Sequence, residues 1–321
     1  MTVAALVSLP AIINTSVFKP AYFLQLLTNG LGNGALYAAM ALTVVIIYKT
    51  TGHLNFAQGE LAMVGAFGVF VLHVEQGLPM IVAILIAIVG SMVVGASIER
   101  LLVRPVEHRS PLGVVIVTLG LFLFLNALGA IIWGTSPRAP LQPFPSAISD
   151  QFKLADGPPA WFVTYRVIGV WLTLGVVVVG LNLLLNRTKL GLAYRAVAAN
   201  RESSLLVGIP VGRMLMFGWA LSSGIGTLVG VLVSQQTDSL DFNLMASVLL
   251  YGFAAAALGG FDSLKGAVVG GLIVGVAESL FPSIFTFIGS ELSLVMALVV
   301  ILVVLMVRPQ GLFGSSRVER V

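Results

Sequence analysis

Apolar residues occur along this chain in long runs, which short polar segments separate. A helix needs about 20 apolar residues to cross the hydrocarbon core of a bilayer. Six runs are long and apolar enough to predict spans, near residues 22–48, 79–98, 112–133, 165–186, 213–235 and 290–307. Three shorter or glycine-interrupted runs lie near 57–73, 247–260 and 266–281. The pattern therefore predicts an all-α, polytopic integral membrane protein with about nine (roughly eight to ten) transmembrane helices.

The composition excludes a water-soluble globule. Hydrophobic residues make up 58% of the 321 residues and charged residues only 9%, whereas soluble domains carry about 25% charged residues. The chain contains no cysteine, which excludes disulfides and thiolate metal sites. The apolar stretch 1–18, which Pro10 interrupts, predicts either a tenth span or a segment lying in the interface. A cleaved signal peptide is the weaker alternative, because the start lacks lysine and arginine.

The basic residues predict the orientation. If the carboxyl end is cytoplasmic, alternation of the nine spans places thirteen of the 17 lysines and arginines on the cytoplasmic side. The other side then holds only Lys19, Arg138, Lys153 and Arg166. Cytoplasmic loops of membrane proteins carry the excess of basic residues, so this orientation is favoured. It places a proline-rich connection, about 134–164, outside and a basic loop, 187–212, inside.

A cluster of polar residues precedes one of the short runs, in the stretch "TGHLNFAQGELAMVG" at 51–65. Asn55, Gln58 and Glu60 are the candidates for a role near the cytoplasmic gate. Ionisable residues inside a membrane usually face a cavity or a partner. The alternative to a gate role for Glu60 is that it is only an acidic residue at a helix N-terminus, where the helix dipole stabilises its negative charge. For Glu278, the other acid inside a predicted span, the alternative to substrate contact is a hydrogen bond to a neighbouring helix.

The glycine spacing indicates how the helices pack, and the absence of nucleotide-binding and catalytic motifs reduces the number of possible functions. Four G-x-x-x-G pairs predict close helix packing in the membrane: Gly30 with Gly34, Gly226 with Gly230, Gly266 with Gly270, and Gly271 with Gly275. No phosphate-binding G-x-x-x-x-G-K-[ST] loop occurs, so this chain is not expected to hydrolyse ATP itself. No nucleophile–base or metal-binding constellation is visible, which disfavours an enzyme. Short, glycine-interrupted spans are typical of the permeation site of transporters.

The basic inner loop predicts a docking element. Residues 194–207 contain good helix formers, and Gly208 and Pro210 then end the helix. Leu205, Leu206, Val207 and Ile209 are apolar although the loop is predicted to face the cytoplasm. Either the helix lies on the membrane surface, or its apolar patch docks into another protein.

Three separated segments carry a family resemblance. "NFAQGE" at 55–60, "YRAVAANRESSLLVGIPVGRM" at 194–214 and "AAALGGFDSLKGAVVGGLIVGVAESL" at 255–280 resemble, in this order, segments of the branched-chain amino-acid ABC transporter permeases. The ending "RPQGLFG" is similar as well, so the resemblance runs from about residue 22 to 316. Relatives of this family transport urea and short amides. Gln58 stands where many members carry histidine, which weakens any assignment of the exact substrate.

The resemblance implies a permease subunit of an ABC importer in the cytoplasmic (inner) membrane. The whole chain, 1–321, would be one transmembrane permease domain with a variable N-terminal segment, 1–21, and a cytoplasmic coupling loop, 187–212. The implied partners are two cytoplasmic ATPase subunits, a second homologous permease that forms a heterodimer with it, and an external substrate-binding protein. No cofactor or metal is expected in this chain, because ATP is bound by the partner subunits.

Residue roles follow from the same resemblance. The residues expected to couple the permease to the ATPases are Arg195, Asn200, Glu202, Leu206 and Ile209. The candidates for translocation or gating are Asn55, Gln58, Glu60 and Glu278. The competing hypothesis is a stand-alone secondary transporter or channel, in which Glu60 or Glu278 binds a proton or cation.

Overall fold

The computed structural model describes residues 14, 17, 19–107, 111–147, 150–155, 160–285 and 293–314. In chain order the helices are α1 (Pro20–Thr51), α2 (Gln58–Phe70), α3 (Met80–Ile98), α4 (Arg104–Glu107), α5 (Pro111–Trp133), α6 (Tyr165–Arg187), α7 (Lys189–Ala199), α8 (Arg201–Leu206), α9 (Val211–Gln236), α10 (Ala246–Gly259), α11 (Leu264–Ile284) and α12 (Ser293–Val307). π-Helical turns at Val71–Glu75 and Glu99–Val103 continue α2 and join α3 to α4. The two strands are β1 (Gln151–Ala155) and β2 (Trp161–Thr164).

Each predicted span coincides with a helix. Within the described residues, six helices are long and apolar enough to cross a membrane: α1, α3 with its continuation to Glu107, α5, α6, α9 and α11. The chain is therefore a polytopic membrane protein, as predicted. α11 is longer than its glycine-interrupted sequence suggested, whereas α12 has 15 described residues. The total of nine spans and the cytoplasmic carboxyl end remain predictions, and the predicted N-terminal segment 1–18 lies outside the described residues apart from Asn14 and Val17.

A small sheet interrupts the helical architecture, so the all-α prediction was wrong at this place. β1 and β2 pair antiparallel inside the proline-rich connection, with an irregularity between Lys153 and Ala155. The Trp161 indole Nε1 donates to Thr28 Oγ1 at 3.1 Å. The backbone amide of the following residue donates to Gln25 Oε1 at 2.8 Å. The sheet is thus fastened to the first turns of α1.

The core of the protein is α1, which is buried along most of its length and contacts α9, α10 and α11. Glycine makes the closest of these contacts. A Cβ atom at Gly275 would lie 2.2 Å from the backbone nitrogen of Gly34, and one at Gly271 would lie 2.3 Å from that of Ala38. A Cβ atom at Gly230 of α9 would lie 2.5 Å from the carbonyl oxygen of Ala62 in α2. The predicted packing role of the glycine pairs is therefore confirmed for these contacts.

Candidate functional site

The polar cluster lies where the chain turns back into the membrane domain. α1 ends at Gly52, whose φ of 73° is left-handed and suits glycine. Six residues later α2 begins, and the Gln58 side-chain Nε2 donates to the carbonyl oxygen of Ser222 at 3.1 Å. Ser222 lies eleven residues into α9, about 16 Å along that helix at 1.5 Å per residue. The start of α2 therefore lies beside the middle of α9 and not beside its first turn, and its predicted place near the cytoplasmic gate stays a prediction.

Asn55 and Gln58 hold this turn together. Both side chains are buried. Asn55 Oδ1 accepts from the Ala57 amide at 3.1 Å, and Asn55 Nδ2 donates to Gln58 Oε1 at 3.2 Å. Lipid cannot satisfy an irregular backbone, so protein groups have to do so. The geometry gives these two residues the task of stabilising the turn.

Glu60 joins three parts of the molecule. Its side chain is buried, and its Oε1 lies 3.4 Å from the side-chain nitrogen Nδ2 of Asn126 in α5. The same nitrogen donates to the Phe242 carbonyl oxygen at 3.1 Å and lies 3.5 Å from Asn243 Oδ1, in the segment before α10. No described residue bonds Glu60 Oε2. Asn126 was missed by the sequence analysis, although an asparagine inside the long apolar run 112–133 was a usable signal.

The first turns of two short helices meet beside Glu60. A Cβ atom at Gly59 of α2 would lie 3.2 Å from Leu249 Cδ2 of α10. From this junction α2 runs along α9 toward the edge where Phe67 stacks on Trp133, with ring centroids 4.4 Å apart. α10 runs the opposite way and ends against the first turn of α11 at Gly266. In many transporters the substrate site is formed by discontinuous helices whose N-termini point at the substrate. α2 and α10, two short helices with adjacent N-termini, have this arrangement.

Glu278 belongs to a separate cluster between α1, α9 and α11. Its Oε2 accepts from Asn33 Nδ2 at 3.2 Å and from the Tyr37 hydroxyl at 3.0 Å. Asn33 Oδ1 in turn accepts from Gln236 at 2.9 Å. The structure thus brings Asn55, Gln58 and Glu60 together and places Glu278 with neighbouring helices, as the alternative interpretation of this acid predicted.

The inner loop forms two helices, not the single helix predicted over 194–207. Asn200 separates α7 from α8, because its backbone is extended (φ −155°, ψ 108°) and its Oδ1 accepts from the Ser203 amide at 2.9 Å. Asparagine is one of the best N-cap residues, and the cap stabilises the start of a new helix. Gly208, with φ 81°, ends the following turn, as predicted.

The three residues Leu205, Leu206 and Val207, here called the apolar tip, protrude from this loop. Leu206 is 89% exposed and Val207 75% exposed. Arg195 and Glu202 are exposed as well, whereas Ile209 is partly buried against the core. The base of the loop is firmly held, because Tyr194 is buried and its hydroxyl donates to the Ile46 carbonyl oxygen of α1. The loop therefore presents an open apolar surface on a rigid support.

A family model described as "Branched-chain amino acid transport system / permease component" matches residues 26–306. The permease protein LivH of a high-affinity branched-chain amino acid transport system in Escherichia coli K12 is 28% identical over 94% of this chain and 98% of its own length. BraD of Pseudomonas aeruginosa, from a system of the same description, is 29% identical with the same coverage. A more distant relative, the fructose import permease FruG of Bifidobacterium longum, is 27% identical over 73% of this chain and 68% of its own length.

Proposed function

Since the chain belongs to the family of branched-chain amino acid transport system permease components, we propose that it is the membrane subunit of an ATP-driven importer. It is a multi-pass protein of the inner membrane. The observation that carries the proposal is the apolar tip, where the Leu206 side chain is 89% exposed at the end of a loop whose base is held against α1. A partner that covers it gives the exposed leucine a role.

Two cytoplasmic ATPases are the partners that fit the tip. In this proposal Leu206 enters a groove on an ATPase, and Arg195 and Glu202 form the polar rim of the contact. Asn200 and Ile209 act differently: the former caps α8, and the latter anchors the turn after it to the core. A second, related permease and an external substrate-binding protein complete the proposed importer.

The proposed cargo is a branched-chain or related amino acid. An amino acid is a zwitterion, and the junction of α2 and α10 offers a matching pair of features. Glu60 Oε2 lies without a described partner and suits an ammonium group, because buried charges require pairing. The adjacent helix N-termini suit a carboxylate. Since similar permeases include a fructose permease, the choice among related cargoes is assigned to the external binding protein.

Reconstitution tests this function. The permease, its partner permease, the ATPases and the binding protein are placed in liposomes, and uptake of radiolabelled leucine, urea and acetamide is followed with and without ATP. We expect ATP-dependent leucine uptake that requires every component. Uptake by this chain alone, driven by an ion gradient, would overturn the proposal in favour of a secondary transporter. ATP-driven uptake of urea or acetamide without leucine uptake would overturn the assigned cargo.

Glu60→Gln is expected to lower leucine uptake by about tenfold or more, because a hydrogen bond to a charged group is worth about 1.5–3 kcal/mol. The amide keeps the shape of the side chain and an oxygen that accepts from Asn126, so assembly is expected to persist. Initial rates of uptake and the amount of intact complex are measured together. Unchanged uptake would reduce Glu60 to an acid that stabilises the start of α2.

A further inference from the structure

α3 continues beyond its predicted span as a helical extension that reaches the inner loop. The π-helical turn Glu99–Val103 and α4 lengthen it to a 28-residue helix, Met80–Glu107. Residues 99–107 are here called the arm. π-Helical turns inside α-helices occur frequently at functional sites. The arm carries three charged residues that form ion pairs: Glu99, Arg104 and Glu107.

The first contact joins the arm to α9. The Arg104 guanidinium donates to both Glu99 carboxylate oxygens, at 3.1 and 2.6 Å. Its Nη2 also donates to the Gly212 carbonyl oxygen at 2.6 Å, in the first turn of α9. The Glu99 side chain is only 1% exposed. A buried carboxylate that accepts two guanidinium bonds holds Arg104 in one geometry.

The second contact joins the arm to α8, the helix that bears the apolar tip. Arg201, the first residue of α8, donates to both carboxylate oxygens of Glu107, at 2.7 and 3.1 Å. The Glu107 side chain is 4% exposed, whereas that of Arg201 is 31% exposed. Exposed ion pairs contribute little to stability. A bidentate pair with a buried carboxylate is different, because loss of the arginine leaves that carboxylate without its charge partner.

α3 leads from this pair to the junction at Glu60. Along its length it lies against α2 and α9: a Cβ atom at Gly65 of α2 would lie 3.0 Å from Ser91 Oγ of α3. The Thr227 hydroxyl of α9 donates to the same Ser91 oxygen at 2.7 Å. α2 carries Glu60 in its first turn. A displacement of the arm therefore reaches α2 through close contacts, without an intervening loop.

We propose that the Glu107–Arg201 ion pair is the mechanical link between the docked α8 and α3, so that ATPase movement at the apolar tip displaces α2 at the junction. This inference rests on the proposed function. Glu107 and Arg201 are positioning residues in it, because they contact neither cargo nor nucleotide. Their removal is expected to separate ATP hydrolysis from uptake while leaving both partners assembled.

The test uses the complete transporter in liposomes, with leucine uptake and ATP hydrolysis measured in the same sample. For Glu107→Gln we expect the leucine imported per ATP to fall about fivefold or more, the usual lower range for coupling between sites, with ATPase binding retained. The exchange Glu107→Arg with Arg201→Glu restores the pair in reverse and is expected to recover most of the ratio. Glu75→Gln is the matched control, since Glu75 belongs to an ion pair with Arg138 that lies 3.5 Å apart, and both side chains are substantially exposed.

The outcomes separate the link from the proposed function. If wild-type transporter couples ATP to uptake and Glu107→Gln has the same ratio, the link is wrong and the function stands. If Glu107→Gln imports less leucine per ATP and the double exchange does not restore the wild-type value, the pair is not the link. If Glu107→Gln fails to assemble, Arg201→Lys, which keeps the charge but loses the two-pronged geometry, is measured in its place. An unchanged ratio in that variant would also overturn the proposal. If wild type shows no ATP-driven uptake, the proposed function itself fails.

Discussion

Leu206→Asp is expected to abolish ATP-driven uptake and to leave the permease folded. Because this side chain is 89% exposed, the substitution removes almost no contact within the subunit. In the assembled transporter the leucine is proposed to enter an ATPase groove, where its burial is worth about 1.5–3 kcal/mol. A carboxylate in the same groove is unpaired and costs several kcal/mol more. A total of about 3 kcal/mol or more corresponds to binding at least about 100-fold weaker.

ATPase binding to detergent-solubilised permease measures this effect directly. The thermal unfolding of Leu206→Asp alone serves as the check on folding, and its midpoint is expected to match that of wild type. Leu154→Asp is the matched control, because Leu154 is an exposed leucine (53%) on β1, in a loop predicted to face outside. Wild-type ATPase affinity in Leu206→Asp would contradict the docking role. Ile209→Asp is unsuitable for this test, since Ile209 is partly buried against the core.

Gly275→Val is expected to destabilise the folded subunit by more than the usual cost of overpacking, which is about 1–3 kcal/mol. The added Cβ atom would lie 2.2 Å from the Gly34 nitrogen and 2.5 Å from the Gly30 carbonyl oxygen. These are backbone atoms, so no side chain can rotate away, and α1 and α11 have to separate. Since α1 is the centre of the core, moving it away from α11 also disturbs its packing against α9 and α10 and lowers the stability further.

Thermal unfolding in detergent tests this expectation, with a lowering of the midpoint by about 6 °C or more at about 2 °C per kcal/mol. Gly180→Val provides the matched control, because no described residue outside its own stretch of α6 lies within 4 Å of a Cβ atom at Gly180. Both variants place the same side chain in a helix of the membrane domain. Equal midpoints for the two would contradict the importance of the close approach between α1 and α11.

The long helices were predictable because the length of an apolar run sets the length of a span. α6 begins and ends within a residue of the predicted 165–186, and α3 begins within a residue of the predicted 79–98, although its helix continues through the arm to Glu107. The antiparallel pair β1–β2 was not predictable, since prolines dominate its segment and its anchors, such as Gln25, are distant in sequence. The break at Asn200 was missed for a different reason. Good helix formers flank that position, and only the cap geometry ends α7 there.

The candidate site was predictable only in part. Asn55, Gln58 and Glu60 are close in sequence, so their clustering required no knowledge of the fold. Their partners Ser222 and Asn126 come from other helices, and no local pattern indicates which apolar run contacts which. The inner loop shows the same limit. Leu206 and Ile209 were both candidates as apolar residues of a loop with a family resemblance, whereas the packing of the turn after α8 leaves Leu206 exposed and partly buries Ile209.

The meeting of α2 and α10 has an electrical consequence. Four amides at the start of a helix lack intrahelical partners, and neither helix has a side-chain cap. The Gln58 amide donates to the Asn55 carbonyl oxygen and the Ala246 amide to that of Asn243, whereas the next amides of both first turns need water or cargo, because lipid cannot bond them. Water that enters this junction makes the insulating layer thinner here than the bilayer. The transmembrane voltage then falls over a shorter distance, so a charge that moves a few ångströms at this depth crosses a large share of it. The rate of a step that moves charge there is expected to depend on membrane potential, at up to about 2.3 kcal/mol per charge per 100 mV.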